Sequence, residues 1–313
     1  MANPILGRDM AVDLGTSTTQ VYVRGKGVLV NEPTSSEGSA PIRDGVIADF
    51  DSTVALLTSL IQRVHQRRYL ARPRMLVAVP SLTTAVERRA IKEAAYQAGA
   101  RHVILVDAPL MAAIGVGLPV HRQAGTMVVT LGSGLSEIAV LSLGGVVAST
   151  SARVNGADLD RAIVAWMRSE HGLVISEQTA EDLKLELGTA WPLADRESLE
   201  IAAPDLNGLS RTISVSGADI RHALVEPLGD IIEAIGETLD VTPGLAGDIR
   251  NHGLMLTGGG ALLPGIDVLL SHELKLPVLL APSPIDAIVG GAGHCLDDAE
   301  LLRSVLVADR RVA

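Results

Sequence analysis

The most constraining feature of this sequence is an internal repeat of 11 residues. The segment Asp13–Val23 (DLGTSTTQVYV) aligns without a gap on Thr130–Val140 (TLGSGLSEIAV). In both copies a stretch rich in Gly, Ser and Thr follows one apolar run and enters another, which is the pattern of a strand, a tight turn and a second strand. We therefore predict a duplicated chain in which two similar lobes each carry one such turn.

The rest of the chain alternates between apolar runs and helical patterns. Strand-like runs include Met75–Val79, Val103–Val106 and Leu254–Thr257, whereas Val54–Val64 and Thr84–Ala98 show helical periodicity. This alternation predicts the α/β class, with helices covering the sheets. No Gly/Ser-rich linker divides the 313 residues, so we expect both lobes to share one body.

The composition excludes several classes of function. The formal net charge is −10 and only 2% of the residues are aromatic, whereas nucleic-acid binding requires a cationic face and often aromatic side chains. The single cysteine, Cys295, cannot form an internal disulfide, which fits a reducing cytoplasm. No apolar run is long enough to span a bilayer, so we expect any membrane contact to be peripheral.

Each repeated turn predicts an anion site. Backbone N–H groups and hydroxyls converge where a strand, a tight turn and a second strand meet, and two such turns facing each other would hold a polyphosphate. The alternative is a pair of ordinary β-hairpins, because glycine and threonine are common in turns. A third element, described next, favours the polyphosphate site.

The third element is a run of three glycines, Gly258, Gly259 and Gly260, between an apolar strand and a predicted helix over Leu262–Leu274. Consecutive glycines destabilise regular structure, so they indicate close approach of the backbone to a bulky group such as a base or ribose. The run is not a Walker motif, since no Gly-Lys-Ser/Thr follows, and it lacks the dinucleotide fingerprint.

Together, the two turns and the glycine run resemble the two phosphate loops and the adenosine loop of the actin, sugar-kinase and heat-shock-chaperone superfamily. Within it the resemblance narrows to the MreB family of bacterial actins and covers almost the whole chain. The stretches that carry it are Asn31–Pro33, Asp44–Phe50, Val79–Pro80 with Val86–Ile91, Ala112–Gly115 with Gly117–Pro119, and Leu256–Leu263. It implies an actin-like fold, with two ribonuclease-H-like lobes around a nucleotide cleft.

The resemblance also implies domain boundaries. The first lobe would comprise residues 1–122 and 284–313, and the second lobe residues 123–283, with a small subdomain near 176–215. Family members carry a long segment after Asn-Glu-Pro that forms an outer subdomain, but here only residues 34–43 join the two matching motifs. We therefore predict that the outer subdomain of the first lobe is largely missing.

ATP and Mg²⁺ are the cofactors that the resemblance implies, with Asp13 holding the metal through water. The nucleotide-binding positions that match the family are Asp13, Gly15, Thr16, Ser17, Thr18, Gly132, Ser133, Gly134, Gly258, Gly259 and Gly260. Lys184 and Glu186 match the helix that faces the adenosine, and the alternative for them is a solvated helix face. Asp158 and Asp160 are interpreted first as residues of a helix start, where acids are favoured.

Two departures from the family concern hydrolysis. Family members have an aspartate where this chain has Thr130, and a water-polarising glutamate where it has Ala108. Phosphoryl transfer to water needs metal charge and an acceptor that orients the nucleophile, so no catalytic residue is assigned and we predict very weak or absent ATPase activity. Asp107 would restore part of the activity only through a backbone shift, because neighbouring side chains point in different directions.

A basic and apolar segment predicts the membrane contact. Arg67 and Arg68 precede Tyr69 and Leu70 in an otherwise acidic chain, which suits a surface that lies on anionic lipid, and the family has a hydrophobic loop at this place. The alternative is an arginine-rich helix end with Tyr69 and Leu70 packed inward.

The resemblance thus implies an ATP-binding bacterial actin homologue, cytoplasmic and peripheral at the inner face of the cell membrane. Its filaments would organise cell-wall synthesis and cell shape. The expected partners are further copies of itself or another MreB-type protein, the membrane surface and the cell-wall synthesis machinery, but no nucleic acid. The alternative is an active ATPase or a small-molecule kinase of the same superfamily, which the losses at Thr130 and Ala108 disfavour.

Overall fold

A computed structural model describes residues 7–35, 39–65, 71–152, 154–192 and 198–312, apart from the side chains of 307–312. The first half contains β1 (Met10–Leu14), β2 (Thr18–Val23), β3 (Gly27–Pro33), β4 (Ile42–Arg43), β5 (Val46–Ile47), α1 (Phe50–Val64), β6 (Arg74–Val79), α2 (Ala85–Gln97), β7 (His102–Asp107) and α3 (Ala108–Gly115). The second half contains β8 (Thr126–Leu131), β9 (Ser136–Ser142), β10 (Gly145–Ala152), α4 (Gly156–His171), α5 (Glu177–Leu187), β11 (Leu199–Pro204), β12 (Ser210–Val215), α6 (Gly217–Ala223), α7 (Val225–Asp240), α8 (Pro243–His252), β13 (Leu254–Thr257), α9 (Ile266–Leu274), β14 (Val278–Leu280), α10 (Ala287–Asp297) and α11 (Ala299–Val312).

Two five-stranded sheets of the same topology form the framework. The first has the order β3-β2-β1-β6-β7 and the second β10-β9-β8-β13-β14. In each sheet three strands form an antiparallel meander, a fourth strand pairs in parallel with the first strand of that meander, and the fifth pairs in parallel with the fourth. The repeat found in the sequence is therefore a repeat of structure, and the predicted pair of similar lobes is confirmed.

Several helices start where side chains satisfy their first N–H groups. Thr84 and Glu87 form a capping box at α2, and Asn155 and Asp158 form another at α4. The predicted helix over Leu262–Leu274 is partly wrong, because a 3₁₀ turn occupies Gly259–Leu262 and α9 begins only at Ile266. Pro264 and Gly265 separate the two, and the φ of +80° at Gly265 is incompatible with a continuous helix.

Helices α3 and α10 cross between the two sheets with their backbones in contact. A Cβ on Gly115 would lie 1.9 Å from the Ala287 carbonyl oxygen, and one on Gly291 would lie 1.9 Å from that of Met111. Helix α10 packs on β1 and β2 of the first sheet, whereas α3 contacts β8 and β9 of the second. Helix α10 thus returns the chain to the first sheet, and the boundary at residue 284 stays a prediction.

Two predictions concern parts of the chain that are described incompletely or not at all. Residues 36–38 of the connection 34–43 are outside the described residues, and the loss of an outer subdomain stays a prediction. Arg67, Arg68, Tyr69 and Leu70 also lie outside the described residues. None of the helices in the described part of the chain is long and apolar enough to cross a bilayer.

Candidate functional site

The two repeated turns have the same backbone geometry. The Gly15 N–H donates to the Thr18 carbonyl at 3.1 Å, and the Gly132 N–H donates to the Leu135 carbonyl at 3.0 Å. A Cβ at either glycine would lie 2.6 Å from the accepting oxygen, which no real side chain tolerates. The glycines are therefore required for the turns to close, and the sequence repeat has a steric cause.

The two turns also touch each other across the lobes. A Cβ on Gly134 would lie 2.2 Å from Thr16 Oγ1, and Thr16 Oγ1 accepts a hydrogen bond from the Gly45 N–H at 3.2 Å. Backbone amides and hydroxyls from both lobes thus converge on one place, as a polyphosphate site requires.

The start of helix α4 is built onto the second turn. The Gly156 N–H donates to the Gly132 carbonyl at 2.9 Å, and the Ala157 N–H donates to the Ser133 carbonyl at 3.0 Å. Asn155 Nδ2 adds a bond to the Gly134 carbonyl at 3.3 Å. These bonds connect the second turn to the start of α4, and the capping box confirms that Asp158 is a helix-start residue.

The glycine run lies beside the second turn, but two of its glycines have a partner within the protein. A Cβ on Gly258, whose φ is +83°, would lie 2.4 Å from the Leu131 carbonyl oxygen, and one on Gly260 would lie 2.7 Å from Leu131 Cβ. Only the Cβ direction of Gly259 is open. The sequence predicted that the backbone of the glycine run closely approaches a bulky group. For Gly258 and Gly260, the group that the backbone approaches is Leu131 at the end of β8.

A small pocket joins these elements. The second turn, the start of α4 and the glycine run line it through Gly132, Asn155, Gly156 and Gly260. Apolar side chains, among them Leu228 of α7, line its other side. The elements that the sequence assigned to nucleotide binding in the second lobe therefore meet around one space.

Asp13 and Thr130 occupy equivalent positions at the ends of β1 and β8. Asp13 pairs with Gln20 across its hairpin, as Thr130 pairs with Glu137 across the other. Burial raises the pKa of Asp13 to about 7, whereas the Thr130 hydroxyl lies 2.9 Å from the Thr257 hydroxyl. The second lobe thus has a neutral hydroxyl pair where the first lobe has a carboxyl group.

Asp13 is compatible with a magnesium ion bound together with phosphate oxygens. Mg²⁺ is usually held by one or two carboxylates plus the phosphates of its substrate, with water completing the shell. No group of three or more His, Cys, Asp or Glu side chains suited to a metal occurs among the described residues. The protein part of such a site would include the Asp13 carboxylate, which a nearby cation would keep ionised.

Asp107 and Ala108 lie where β7 turns into the connecting helix α3. Asp107 Oδ1 is 2.5 Å from Arg88 Nη2, and Ala108 is buried. Asp107 directly precedes Ala108 in the chain, and its ion pair with Arg88 holds its carboxylate toward α2.

Lys184 and Glu186 differ in their surroundings. Lys184 Nζ lies 2.7 Å from Asp160 Oδ1 and 3.4 Å from the Gly156 carbonyl oxygen, and the Lys184 side chain is only 15% exposed. Burial raises the pKa of Asp160 and Lys184 opposes that rise. Glu186 is exposed. Lys184 therefore lies beside the start of α4, whereas the exposure of Glu186 agrees with a solvated helix face.

Sequence reasoning missed one residue of the site, Glu137. Its Oε1 accepts hydrogen bonds from the Ser81 N–H of the other lobe at 2.7 Å and from the Ser149 hydroxyl at 3.2 Å. Burial raises the pKa of Glu137, and the charge of Asp107 adds to the rise. Glu137 could have been singled out from the sequence, because it is an acid inside the apolar run of β9 and aligns with Gln20 in the repeat.

Two lobes of one topology, with repeated turns in contact and a glycine run beside them, define a protein with the actin-like fold. The family model described as "MreB/Mbl protein" matches residues 37–304. The cell shape-determining protein Mbl of Bacillus subtilis is 38% identical, over 95% of this chain and 98% of its own length. The cell shape-determining protein MreB of Escherichia coli is 39% identical, over 94% of each chain. This chain belongs to the MreB/Mbl family of bacterial actins.

Solved structures agree with this assignment. MreB5 of Spiroplasma citri bound to ADP superimposes with a TM-score of 0.88 at 30% identity, covering 97% of this chain and 99% of the other. The same protein bound to AMPPNP gives a TM-score of 0.89. The double helical filament of MamK, at 17% identity and a TM-score of 0.76, supports the fold alone.

Proposed function

We propose that this chain is a cytoskeletal protein that binds ATP between its lobes and self-associates into filaments that organise cell-wall synthesis and cell shape. The observation that carries the proposal is the contact between the two repeated turns, one from each lobe, beside the glycine run. MreB5 binds ADP and AMPPNP on the same fold. Asp13 would hold Mg²⁺ against the phosphates.

Hydrolysis is proposed to be very weak. The hydroxyl of Thr130 cannot replace a metal-ordering carboxylate, and the methyl group of Ala108 cannot orient a water molecule. Asp107 is paired with Arg88 in α2, so its use as an acceptor would require that pair to rearrange. Nucleotide would then act as a conformational ligand, and filaments would persist or depend on copolymerisation with a competent relative.

The proposed location is the inner face of the cell membrane. Three arginines, Arg24, Arg74 and Arg101, surround Asp9 at distances of 3.8, 2.8 and 3.2 Å. They lie at the end of the first sheet that is remote from the turns, where Arg24 and Arg101 are 49% and 38% exposed. This surplus of positive charge supports the contact with anionic lipid proposed for Arg67, Arg68, Tyr69 and Leu70.

The deciding experiment measures nucleotide affinity and phosphate release on the same purified chain, beside the double variant Thr130→Asp/Ala108→Glu. We expect the parent to bind a fluorescent ATP analogue with little or no phosphate release. The double variant restores the two acids, and we expect it to release phosphate about 10²-fold faster or more. Fast release by the parent would instead favour an active ATPase, whereas ADP formation that depends on an added small-molecule acceptor, without release of phosphate, would favour a kinase.

A further inference from the structure

Glu137 forms a hydrogen bond between the lobes three residues after the second turn. It lies on β9 of the second sheet, and its Oε1 accepts a hydrogen bond from the Ser81 N–H at 2.7 Å. Ser81 follows β6 of the first sheet. The side chain is 97% buried, since the residue is only 3% exposed. A buried carboxylate that accepts a backbone N–H is a strong, directional contact.

The Ser81 segment is in turn tied to the start of the connecting helix. Arg88 Nε donates to the Thr83 carbonyl at 3.4 Å, and Arg88 Nη2 lies 2.5 Å from Asp107 Oδ1 at the end of β7. Residues 80–84 form a turn that leads directly into α2, and Thr84 caps that helix. A continuous set of contacts therefore runs from the second turn through Glu137 to the 80–84 turn, α2 and the start of α3.

The equivalent residue of the first lobe makes a different contact. Gln20 is the repeat equivalent of Glu137, and its Nε2 donates to Asp286 Oδ1 at 2.6 Å, immediately before α10. Asp107 holds the corresponding place before α3, but a carboxylate at position 137 cannot donate to it. Asp107 pairs with Arg88 instead, and Glu137 binds the Ser81 N–H. The two equivalent side chains therefore make different contacts.

We propose that Glu137 is a positioning residue that couples the second turn of the nucleotide site to the first lobe through the 80–84 turn. The inference rests on the proposed nucleotide binding. When a nucleotide orders the turn at Gly132–Gly134, Glu137 transmits that ordering to Ser81 and α2. Gln20 cannot do so, because Asp286 precedes a helix that packs on the same sheet as Gln20.

Amide hydrogen exchange with and without Mg²⁺ and AMPPNP tests this coupling. The readout is the nucleotide-induced slowing of exchange over residues 81–97, together with AMPPNP affinity. Glu137→Gln keeps an oxygen acceptor for the Ser81 N–H, and we expect it to keep the slowing. Glu137→Met has similar length but no acceptor, and we expect the slowing to be lost while AMPPNP affinity falls by about 10-fold. Gln20→Ala, the matched control, should keep the slowing.

The outcomes separate coupling from mere stability. Full slowing in Glu137→Met, or equal loss in Gln20→Ala, would overturn the proposal even if melting temperatures fell. If Glu137→Met does not fold, Ser149→Ala replaces it, because this variant removes the hydroxyl that donates to the Glu137 carboxylate. Reduced slowing of exchange over residues 81–97 would then support the coupling, and unchanged slowing would refute it. A parent chain that binds no AMPPNP would overturn the proposed function itself, whereas binding without coupling would overturn only this inference.

Discussion

Single residues at the ends of β1 and β8 show how a duplicated site has diverged. Asp13 and Thr130 share a position in the repeat and a place in their hairpins, but one is a partly buried acid and the other belongs to a pair of hydroxyls. A buried acid without a nearby cation favours its protonated form. The first lobe therefore keeps a carboxyl group that costs stability whenever it is ionised in the absence of a cation.

Stability should consequently fall as pH rises through the range in which Asp13 loses its proton. The folded pKa of Asp13 is raised to about 7 from 3.8, so between these values the folded state holds a proton that the unfolded state has lost. The free energy of unfolding should then decrease from about pH 4 to pH 7 by up to about 4 kcal/mol, and level off above pH 7. Urea denaturation at several pH values, with Asp13→Asn beside the parent, measures this difference.

The variant Asp13→Asn cannot titrate at this position, so its curve should lack that contribution. Glu137 and Asp160, whose pKa values are also raised, contribute equally to both proteins and cancel in the difference. Parallel curves for parent and variant would contradict a protonated Asp13 at neutral pH. Added Mg²⁺ and nucleotide should remove the slope in the parent alone, because a cation keeps the carboxylate ionised.

At the scale of elements, the crossing of α3 and α10 depends on two glycines whose contact with each other's helix was not predicted from the sequence. The helices approach until backbone meets backbone at Gly115 and Gly291. This contact joins the helix that leaves the first lobe to the one that returns to it. A side chain at either position would push the two helices apart.

We expect Gly291→Ala to destabilise the protein by about 3 kcal/mol, the upper part of the usual cost of overpacking. The reason is that its Cβ would lie 1.9 Å from the Met111 carbonyl oxygen. Gly290→Ala is the matched control, because it lies in the same helix and its Cβ direction is open. Alanine there should stabilise the protein by roughly 0.5–1 kcal/mol through helix propensity. Chemical denaturation measures the free energy of unfolding of the two variants. Similar changes in both would contradict the backbone contact at Gly291.

The whole molecule is electrically asymmetric. Residues 1–122 contain 14 Lys and Arg against 10 Asp and Glu, whereas residues 123–313 contain 12 against 26. Within the first part, Arg24, Arg74 and Arg101 gather around Asp9 at the end of the sheet away from the turns. An anionic membrane would attract this end and repel the second lobe, which would orient the molecule on the surface.

Binding to vesicles that contain anionic phospholipid should therefore weaken as the salt concentration rises, because salt screens exposed charges. The double variant Arg24→Glu/Arg101→Glu should lose affinity by roughly 10-fold or more, since each arginine near an anionic surface contributes about 1 kcal/mol. Arg250→Glu makes the same kind of charge change on an exposed residue of the second lobe and serves as the control. Equal losses in both variants, or binding to neutral vesicles alone, would contradict an oriented contact.

The sequence alone determined the features that depend on near neighbours or on repetition. The two turns at Gly15 and Gly132, the helical stretch Thr84–Ala98 and the duplication were accessible because glycine geometry and apolar periodicity act over a few residues. Resemblance along the whole chain identified the family, which the comparisons confirmed.

Only the tertiary structure decided which distant residues meet. The hydrogen bond from Ser81 to Glu137, the ion pair of Lys184 with Asp160, and the packing of Gly258 on Leu131 join segments far apart in the chain. Each residue offers several chemically equivalent partners, and the choice among them follows from how the two sheets and the α3–α10 crossing place their side chains. Spacing along the chain carries no such information.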